Sequence, residues 1–279
     1  MKPHSRPEST SSSTVENPTN AMVKELRKAL RQGGLFAGKF WVAETPKLLE
    51  EALRSGLNVP VVYVAANRLQ EYSSQFRGRF TGDWTPLGER ALDSLTTVES
   101  SQGLLALVEK PLVDEPTFFR EQRLTVVLDR IQDPGNAGTI LRAAEAFGAS
   151  GAVFLGGSAL PDTPKVLRAS AGSRFRLPVV EGMAAGQFLA SASTVGMHLY
   201  VASPTGECSL REVQWKYPAA LIVGNEGAGV QAELERRAIG FRIPTQGVES
   251  LNAGVSASIV LYAIDASDGG TRKPGGAAL

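Results

Sequence analysis

Three short stretches of this chain gather glycine and polar residues in patterns that could hold a phosphate-bearing ligand. The first runs from Asp129 to Arg142 (DRIQDPGNAGTILR). Asp133-Pro134-Gly135-Asn136 is turn chemistry, because proline presets φ while glycine and asparagine tolerate positive φ. Asn136 could then cap the helix that follows. Arg142 falls about two turns into that helix. Its planar guanidinium could return toward the strand ends and hold a phosphate through two parallel hydrogen bonds. An ordinary cap and a surface arginine explain this stretch equally well. The second stretch, Gly224 to Gly229 (GNEGAG), follows an apolar strand and precedes a helix. Glycines there let backbone approach a ligand closely, or simply make a tight strand-to-helix turn. The third runs from Ile243 to Ser258 (IPTQGVESLNAGVSAS). Polar Glu249, Ser250 and Asn252 precede a helix of small residues. Ser250 or Asn252 could cap that helix, worth ~1 kcal/mol. The small side chains require something to pack close against it.

Other chemistries have little material. No G-x-G-x-x-G follows a strand, and no phosphate loop of the G-x-x-x-x-G-K-[ST] type occurs. Cys208 is the one cysteine, so an intrachain disulfide is excluded and thiolate zinc clusters are disfavoured. His4 and His198 lie far apart, and His198 sits within an apolar strand-like run, which suits a packed or capped histidine. Ser-His-Asp and Cys-His arrangements therefore find no support. The net charge is +1, which is silent about nucleic acid, but the balance is local. Residues 22–90 carry 11 Lys and Arg against 7 Asp and Glu. Lys165, Arg168, Arg174 and Arg176 follow one another with no acid between them. Such patches suit a surface that grips phosphates, or a solvated basic loop.

The elements that must position these residues read as two folded units with tails. Residues 1–21 are rich in Ser, Thr, Pro and Asn, and residues from 267 onward in Gly; both read as disordered tails. A first domain spans 22–110, with helices over 23–31 and 46–55 and strands over 40–43, 59–65 and 103–108. Residues 111–122, proline-bounded and charged, read as a linker. The second domain, 123–266, alternates strands (124–131, 152–155, 199–203, 219–224) with helices, including 137–147 and a last helix from about Gly254 to Ala266. Apolar strands in that order make a parallel sheet covered on both faces. Ligands in such sheets sit past the C-terminal ends of the strands, so chemistry belongs to the loops that begin at Arg130, Ser203, Gly224 and Pro244. The apolar share is 43%, enough for buried cores. No apolar run is long enough to cross a membrane and no secretory signal opens the chain, so a cytoplasmic protein is expected.

Three blocks, in this order, resemble the signature motifs of the SpoU (TrmH) RNA 2′-O-ribose methyltransferases of the SPOUT class. They are DPGNAGTILRAAEAFGA (133–149), LIVGNEGAGV (221–230) and IPTQGVESLNAGVSASIVLY (243–262). Val166 to Ser173 also resembles the family's R-x-S-x-G segment. The resemblance covers about Leu124 to Asp265. More loosely, the front domain is similar to the ribosomal-protein-like substrate-binding domain of many rRNA-modifying members, with Ser101 to Val108 as its closing Q-G strand. Two departures stand out. Asn252-Ala253-Gly254-Val255 replaces the commoner N-V-S-V or N-A-A-V, and Glu44-Thr45-Pro46 stands where a V-E-G type of stretch is commoner.

The resemblance implies an α/β fold, a parallel sheet closed by a C-terminal trefoil knot, preceded by a small α/β RNA-binding domain. It implies S-adenosyl-L-methionine as cofactor, no metal, and a homodimer through the knotted domain. Gly224, Ile243 and Leu251 would frame the methyl donor. Asn136, Arg142, Glu226, Ser250 and Asn252 would serve catalysis, and Arg168, Ser170 and Arg174 would bind RNA. The implied partner is RNA, with rRNA ahead of tRNA because a separate RNA grip suits a large folded target. Two rivals stay in view. A dinucleotide-using dehydrogenase would need the missing glycine fingerprint. A non-catalytic RNA-binding module would keep the fold and lack the chemistry.

Overall fold

The computed structural model describes residues 14–95, 102–248 and 250–267. The chain divides into two compact units after Lys110. The first unit holds α1 (Ala21–Gln32), β1 (Phe40–Ala43), α2 (Pro46–Arg54), β2 (Val61–Ala65), α3 (Leu69–Gln75), β3 (Asp83–Leu87), α4 (Glu89–Asp93) and β4 (Leu104–Glu109). Its sheet order is β1-β4-β2-β3, with only β2 and β3 parallel. Helix α1 forms because Val23, Leu26, Ala29 and Leu30 recur on one face and bury there. Asn20 caps its start, and Gly33 ends it in the left-handed region. Thr45 caps α2 and Pro46 fills its first turn.

The second unit holds α5 (Glu115–Glu121), β5 (Leu124–Asp129), α6 (Pro134–Ala146), β6 (Gly151–Leu155), α7 (Pro164–Ala169), α8 (Ser173–Arg176), β7 (Val179–Met183), α9 (Ala185–Thr194), β8 (His198–Ala202), β9 (Cys208–Ser209), β10 (Ala219–Gly224), α10 (Ala232–Glu235), β11 (Ile239–Arg242) and α11 (Ala253–Ser267). Its seven strands run in the order β7-β6-β5-β10-β8-β11-β9, and every neighbouring pair is parallel. Alternate residues of each central strand enter different cores, as the two-residue strand period requires. Val126, Leu128, Leu221 and Val223 pack with α6 and α11. Val127, Ala220 and Ile222 pack with α5, α9 and α10. Covering both faces is what lets a parallel sheet be continuously apolar.

Two expectations about boundaries are corrected. The stretch 111–122 is more than a linker. Asp114 caps α5, and Phe118 and Phe119 insert into the core beside Phe188, so this segment is the first packed element of the second unit. Its proline and charges fit a helix start, since Pro116 sits in the first turn. The expected N-terminal tail is shorter than 1–21: Val15 bridges to Leu87 and Asn20 caps α1, while residues 1–13 lie outside the described residues. At the other end α11 reaches Ser267, and residues 268–279 lie outside the described residues. Among the described residues, no helix is long and apolar enough to cross a membrane.

Candidate functional site

β5 and β10 lie side by side, and the last residue of each, Asp129 and Gly224, are register partners. The loops that leave them are therefore neighbours at the C-terminal edge of the sheet. After β5 the chain turns into α6. Asp133 caps that helix, accepting a hydrogen bond from the Asn136 N–H at 2.8 Å, and Pro134 takes the first helical position. This corrects the expectation that Asn136 is the cap. A proline at the first position leaves no N–H to satisfy, so the aspartate before it suffices. The Asn136 side chain is thereby left for another task.

That task is a contact with Glu226. In the turn after β10, Asn225 Oδ1 accepts from the Gly227 and Ala228 N–H groups at 2.9 and 3.0 Å. Such a side-chain-closed turn presents the residue between, Glu226. A Cβ on Gly224 would lie 2.6 Å from the Gly229 carbonyl carbon, so the turn can fold back only over glycine. Glu226 Oε1 accepts from Asn136 Nδ2 at 2.9 Å, Asn252 Nδ2 at 2.8 Å and the Ala253 N–H at 3.1 Å. Asn252 Nδ2 also donates to Asn136 Oδ1 at 2.9 Å. One carboxylate oxygen thus ties together the first turn of α6, the glycine-rich turn and the first turn of α11. Charged acceptors make such bonds stronger, and a helix N-terminus favours the negative charge.

Asn252 caps α11: its Oδ1 accepts from the Gly254 and Val255 N–H groups at 3.0 and 3.2 Å. Ser250 is exposed and makes no hydrogen bond among the described residues, and Glu249 lies outside them. Gly254, a departure from the family pattern, has a steric reason. A Cβ there would sit 3.1 Å from Thr139 Cγ2 and 3.2 Å from Asn252 Oδ1, so glycine lets α11 approach α6 without pushing the cap aside. Arg142 lies on the outward stripe of α6 with Thr139, exposed and without a hydrogen bond or ion pair among the described residues.

Next to this network lies a pocket of about 400 Å³, lined by Leu210, Ile243, Pro244, Val248, Leu251 and Ile259 with the polar Arg211, Thr245 and Gln246. Leu251 faces the pocket and the next residue, Asn252, joins the Glu226 cluster. The expected donor-framing residues divide: Ile243 and Leu251 line the pocket, while Gly224 instead makes room for the turn. Arg211 is a lining residue outside the three stretches, with no local sequence pattern to single it out, whereas Gln246 belongs to the third stretch.

The basic stretch expected to face RNA is mostly turned inward. Ser170 is fully buried and donates to the Leu167 carbonyl. Arg174 is 3% exposed and pairs with buried Asp162 at 2.8 Å. A buried arginine needs such a partner, and this one came from a loop the sequence does not mark. Arg168 is half-buried, and burial lowers its pKa from the usual arginine value. Arg176 pairs with Glu145, and Lys165 with Asp133 at 3.5 Å. These residues brace α7 and α8 against α6, where a Cβ on Gly138 would fall 2.4 Å from that of Ala169.

The geometry agrees with what known proteins resemble this chain. The SpoU rRNA Methylase family matches residues 123–262. The 23S rRNA (guanosine(2553)-2′-O)-methyltransferase RlmP of Bacillus subtilis (strain 168) is 31% identical, over 89% of this chain and 97% of its own. The 23S rRNA (uridine(2479)-2′-O)-methyltransferase of Streptomyces viridochromogenes is 34% identical over 59% of this chain and 60% of its own. Among solved structures, the SpoU methyltransferase AviRb from Streptomyces viridochromogenes, in complex with the cofactor AdoMet, superposes with a TM-score of 0.80 at 27% identity, covering 91% of this chain and 100% of that one. An AdoMet-bound rRNA methyltransferase from Sinorhizobium meliloti gives 0.78 at 27% identity, covering 92% and 98%.

The cap at Asp133 carries a pH signature. The Asn136 N–H bond is the largest influence on its carboxyl and, with Lys165 nearby, holds it below the usual range despite some desolvation. A depressed folded pKa contributes stability that is complete above the unfolded value of about 3.9 and is lost as pH falls through the folded value. Asp133→Ala is expected to cost ~1 kcal/mol at neutral pH. Urea unfolding at a series of pH values should show that gap narrowing in acid. A gap that stays constant down to the acid limit would count against the ionised cap.

Proposed function

Since this chain belongs to the SpoU rRNA Methylase family, we propose that it methylates a ribose 2′-hydroxyl of rRNA with S-adenosylmethionine as donor. The observation that carries the reading is the junction of the three signature segments on Glu226, beside an apolar pocket. A cavity of about 400 Å³ lies within the range of small-molecule sites, which runs from about 300 to 1,000 Å³. Its aliphatic walls, Leu210, Ile243 and Leu251, suit a flat adenine, and the main chain of residues 243–248 is at hand to read the ring edge. Bound there, S-adenosylmethionine supplies a methyl group already activated by its sulfonium charge.

The protein's part is alignment and charge. Asn136, Glu226 and Asn252 fix the walls against which the ribose lies. Arg142, exposed and with no hydrogen bond or ion pair among the described residues, forks the adjacent phosphate and stabilises the negative charge that develops on the 2′ oxygen. It does not take the proton, because an arginine in a protein stays charged. The proton leaves to that phosphate or to water. Ser250, exposed beside the pocket-lining Leu251, is open to the RNA. Lys165 and the half-buried Arg168 stay within reach of RNA, while Ser170 and Arg174 support them from inside.

The first unit, with its four-stranded sheet, serves as the RNA-binding domain, and an rRNA substrate assigns the enzyme to the cytoplasm. The names of the curated relatives favour rRNA over tRNA. The strand order supports the trefoil knot: β10 lies between β5 and β8, and the chain goes out to β11 before α11 returns to pack on α6. Helix α11 also supports a homodimer. Val255, Ile259 and Tyr262 are 46%, 37% and 61% exposed at a helical spacing, an apolar stripe that a second copy would cover. Ile259 belongs to the pocket lining as well, so that partner would border the donor site.

Methyl-labelled S-adenosylmethionine, incubated with the protein and unmodified total RNA, should label 2′-O-methyl nucleosides in the rRNA fraction. Label on a base would overturn the chemistry, and label confined to tRNA would overturn the substrate. Arg142→Lys keeps the charge and loses the fork, so kcat should fall at least ~10-fold, or about 1.4 kcal/mol of barrier. Activity near wild type would remove the phosphate fork from the mechanism. Light scattering should give about twice the 29.6 kDa chain mass. A mass equal to the single chain would argue against the dimer.

A further inference from the structure

The Glu226 cluster holds three segments together, but something must hold the turn that carries Glu226. That turn is anchored from beneath by a residue with no place in the cluster. Asp129 ends β5 and is completely buried. Its Oδ2 accepts from the Gln231 N–H and its Oδ1 from Gln231 Nε2, both at 2.6 Å. Arg130 Nε adds a contact to Oδ1 at 3.3 Å. The next residue, Arg130, adopts φ +56°, a left-handed conformation that is strained for a non-glycine residue. Two bonds go with that conformation. Its carbonyl accepts from Asn225 Nδ2 at 3.1 Å, and its Nη2 donates to the Gly229 carbonyl at 3.2 Å.

These contacts fall at Asn225, Gly229 and Gln231, both ends of the turn and its exit. Glu226 stands between them with no anchor in this lower set. A buried carboxylate is a costly way to fill space, and an apolar residue of similar size often serves stability as well. The structure assigns Asp129 as a positioning residue. It clamps Gln231 and, through Arg130, the two ends of the 225–229 turn, and so aims Glu226 at Asn136 and Asn252. The functional part of this inference rests on the 2′-O-methyl transfer reading; the clamp itself does not. No residue of the turn lines the pocket, so the clamp acts on alignment and leaves donor affinity alone.

The full-length protein with Asp129→Asn tests this. The introduced amide loses the charge that strengthens both Gln231 bonds and turns a donor toward Gln231 Nε2, so the side-chain contact survives only if the Gln231 amide turns over to a neutral, weaker pairing. Hydrogen exchange should quicken at residues 225–231 and at 253–255, where the Glu226 bond ends, while the β5 and β10 amides keep their protection. On rRNA, kcat should fall ~10–100-fold, the effect of a misplaced group, with the Kd for S-adenosylmethionine within about twofold of wild type. The double change Asp129→Asn with Gln231→Glu exchanges donor for acceptor across the same contact and should recover part of kcat and of the protection. If Asp129→Asn fails to fold, Gln231→Ala removes the side-chain bond alone and should show the same split in milder form. Exchange and kcat at wild-type values would overturn the inference. So would a fall in donor affinity in step with kcat, with no recovery in the double variant. If the wild-type protein transfers no methyl group at all, the reading above fails, and the exchange pattern alone then upholds or overturns the clamp.

Discussion

A single carboxylate oxygen, Glu226 Oε1, takes three N–H donors from two segments that lie far from it in sequence. Much of the architecture of the second unit serves to make that meeting possible. The donors come from the first turns of two helices, α6 and α11, which pack against each other. Their side chains can reach one point only if each helix begins at the right residue. Asp133 and Asn252 fix those starts by capping. Without Glu226, Asn136 Nδ2 and the Ala253 N–H would lose the protein acceptor each has here, and buried or half-buried donors are costly to leave unpaired.

The sheet supplies the rest of the geometry. Parallel pairing of β5 with β10 in full register puts the ends of both strands, and so both loops, on one edge. Close approach then depends on absent side chains. Gly138 lets α6 lie on α7, Gly254 lets α11 lie on α6, and Gly224 lets the turn fold over its own strand. Each glycine gives up helix or strand propensity for a close approach that an added Cβ would crowd. Stability and site geometry are thus set by the same contacts.

Much of this was legible in the sequence. Strands β5, β6, β8 and β10 are largely continuous apolar runs, and the helical spacing of Leu48, Leu49, Ala52 and Leu53 marks α2. The three polar and glycine stretches indeed supply the cluster and part of the pocket wall. The misreadings share one physical cause: a sequence gives a residue's type but not the partner it finds in the fold. Arg174 and Ser170 have the types of surface residues, yet Asp162 and the Leu167 carbonyl take them inside. Asn136 is a good cap by type, but the aspartate three residues earlier already holds that position. Phe118 and Phe119 sit in a charged, proline-containing stretch, and only tertiary packing shows it to be core. Strands β7 and β9 escape for another reason: one breaks its alternation with two exposed residues and the other is two residues long.

In the proposed reaction Glu226 organises the site and does not take the proton. The direct test compares kcat for Glu226→Gln and Glu226→Ala on an rRNA substrate. The glutamine amide keeps an oxygen that can accept the three N–H bonds but cannot act as a carboxylate base. If Glu226 organises, Glu226→Gln should stay within ~10-fold of wild type while Glu226→Ala falls by ~100-fold or more, the scale for a lost alignment. If both variants lose activity equally, the carboxylate itself takes part in the chemistry and Glu226 is not merely an organiser.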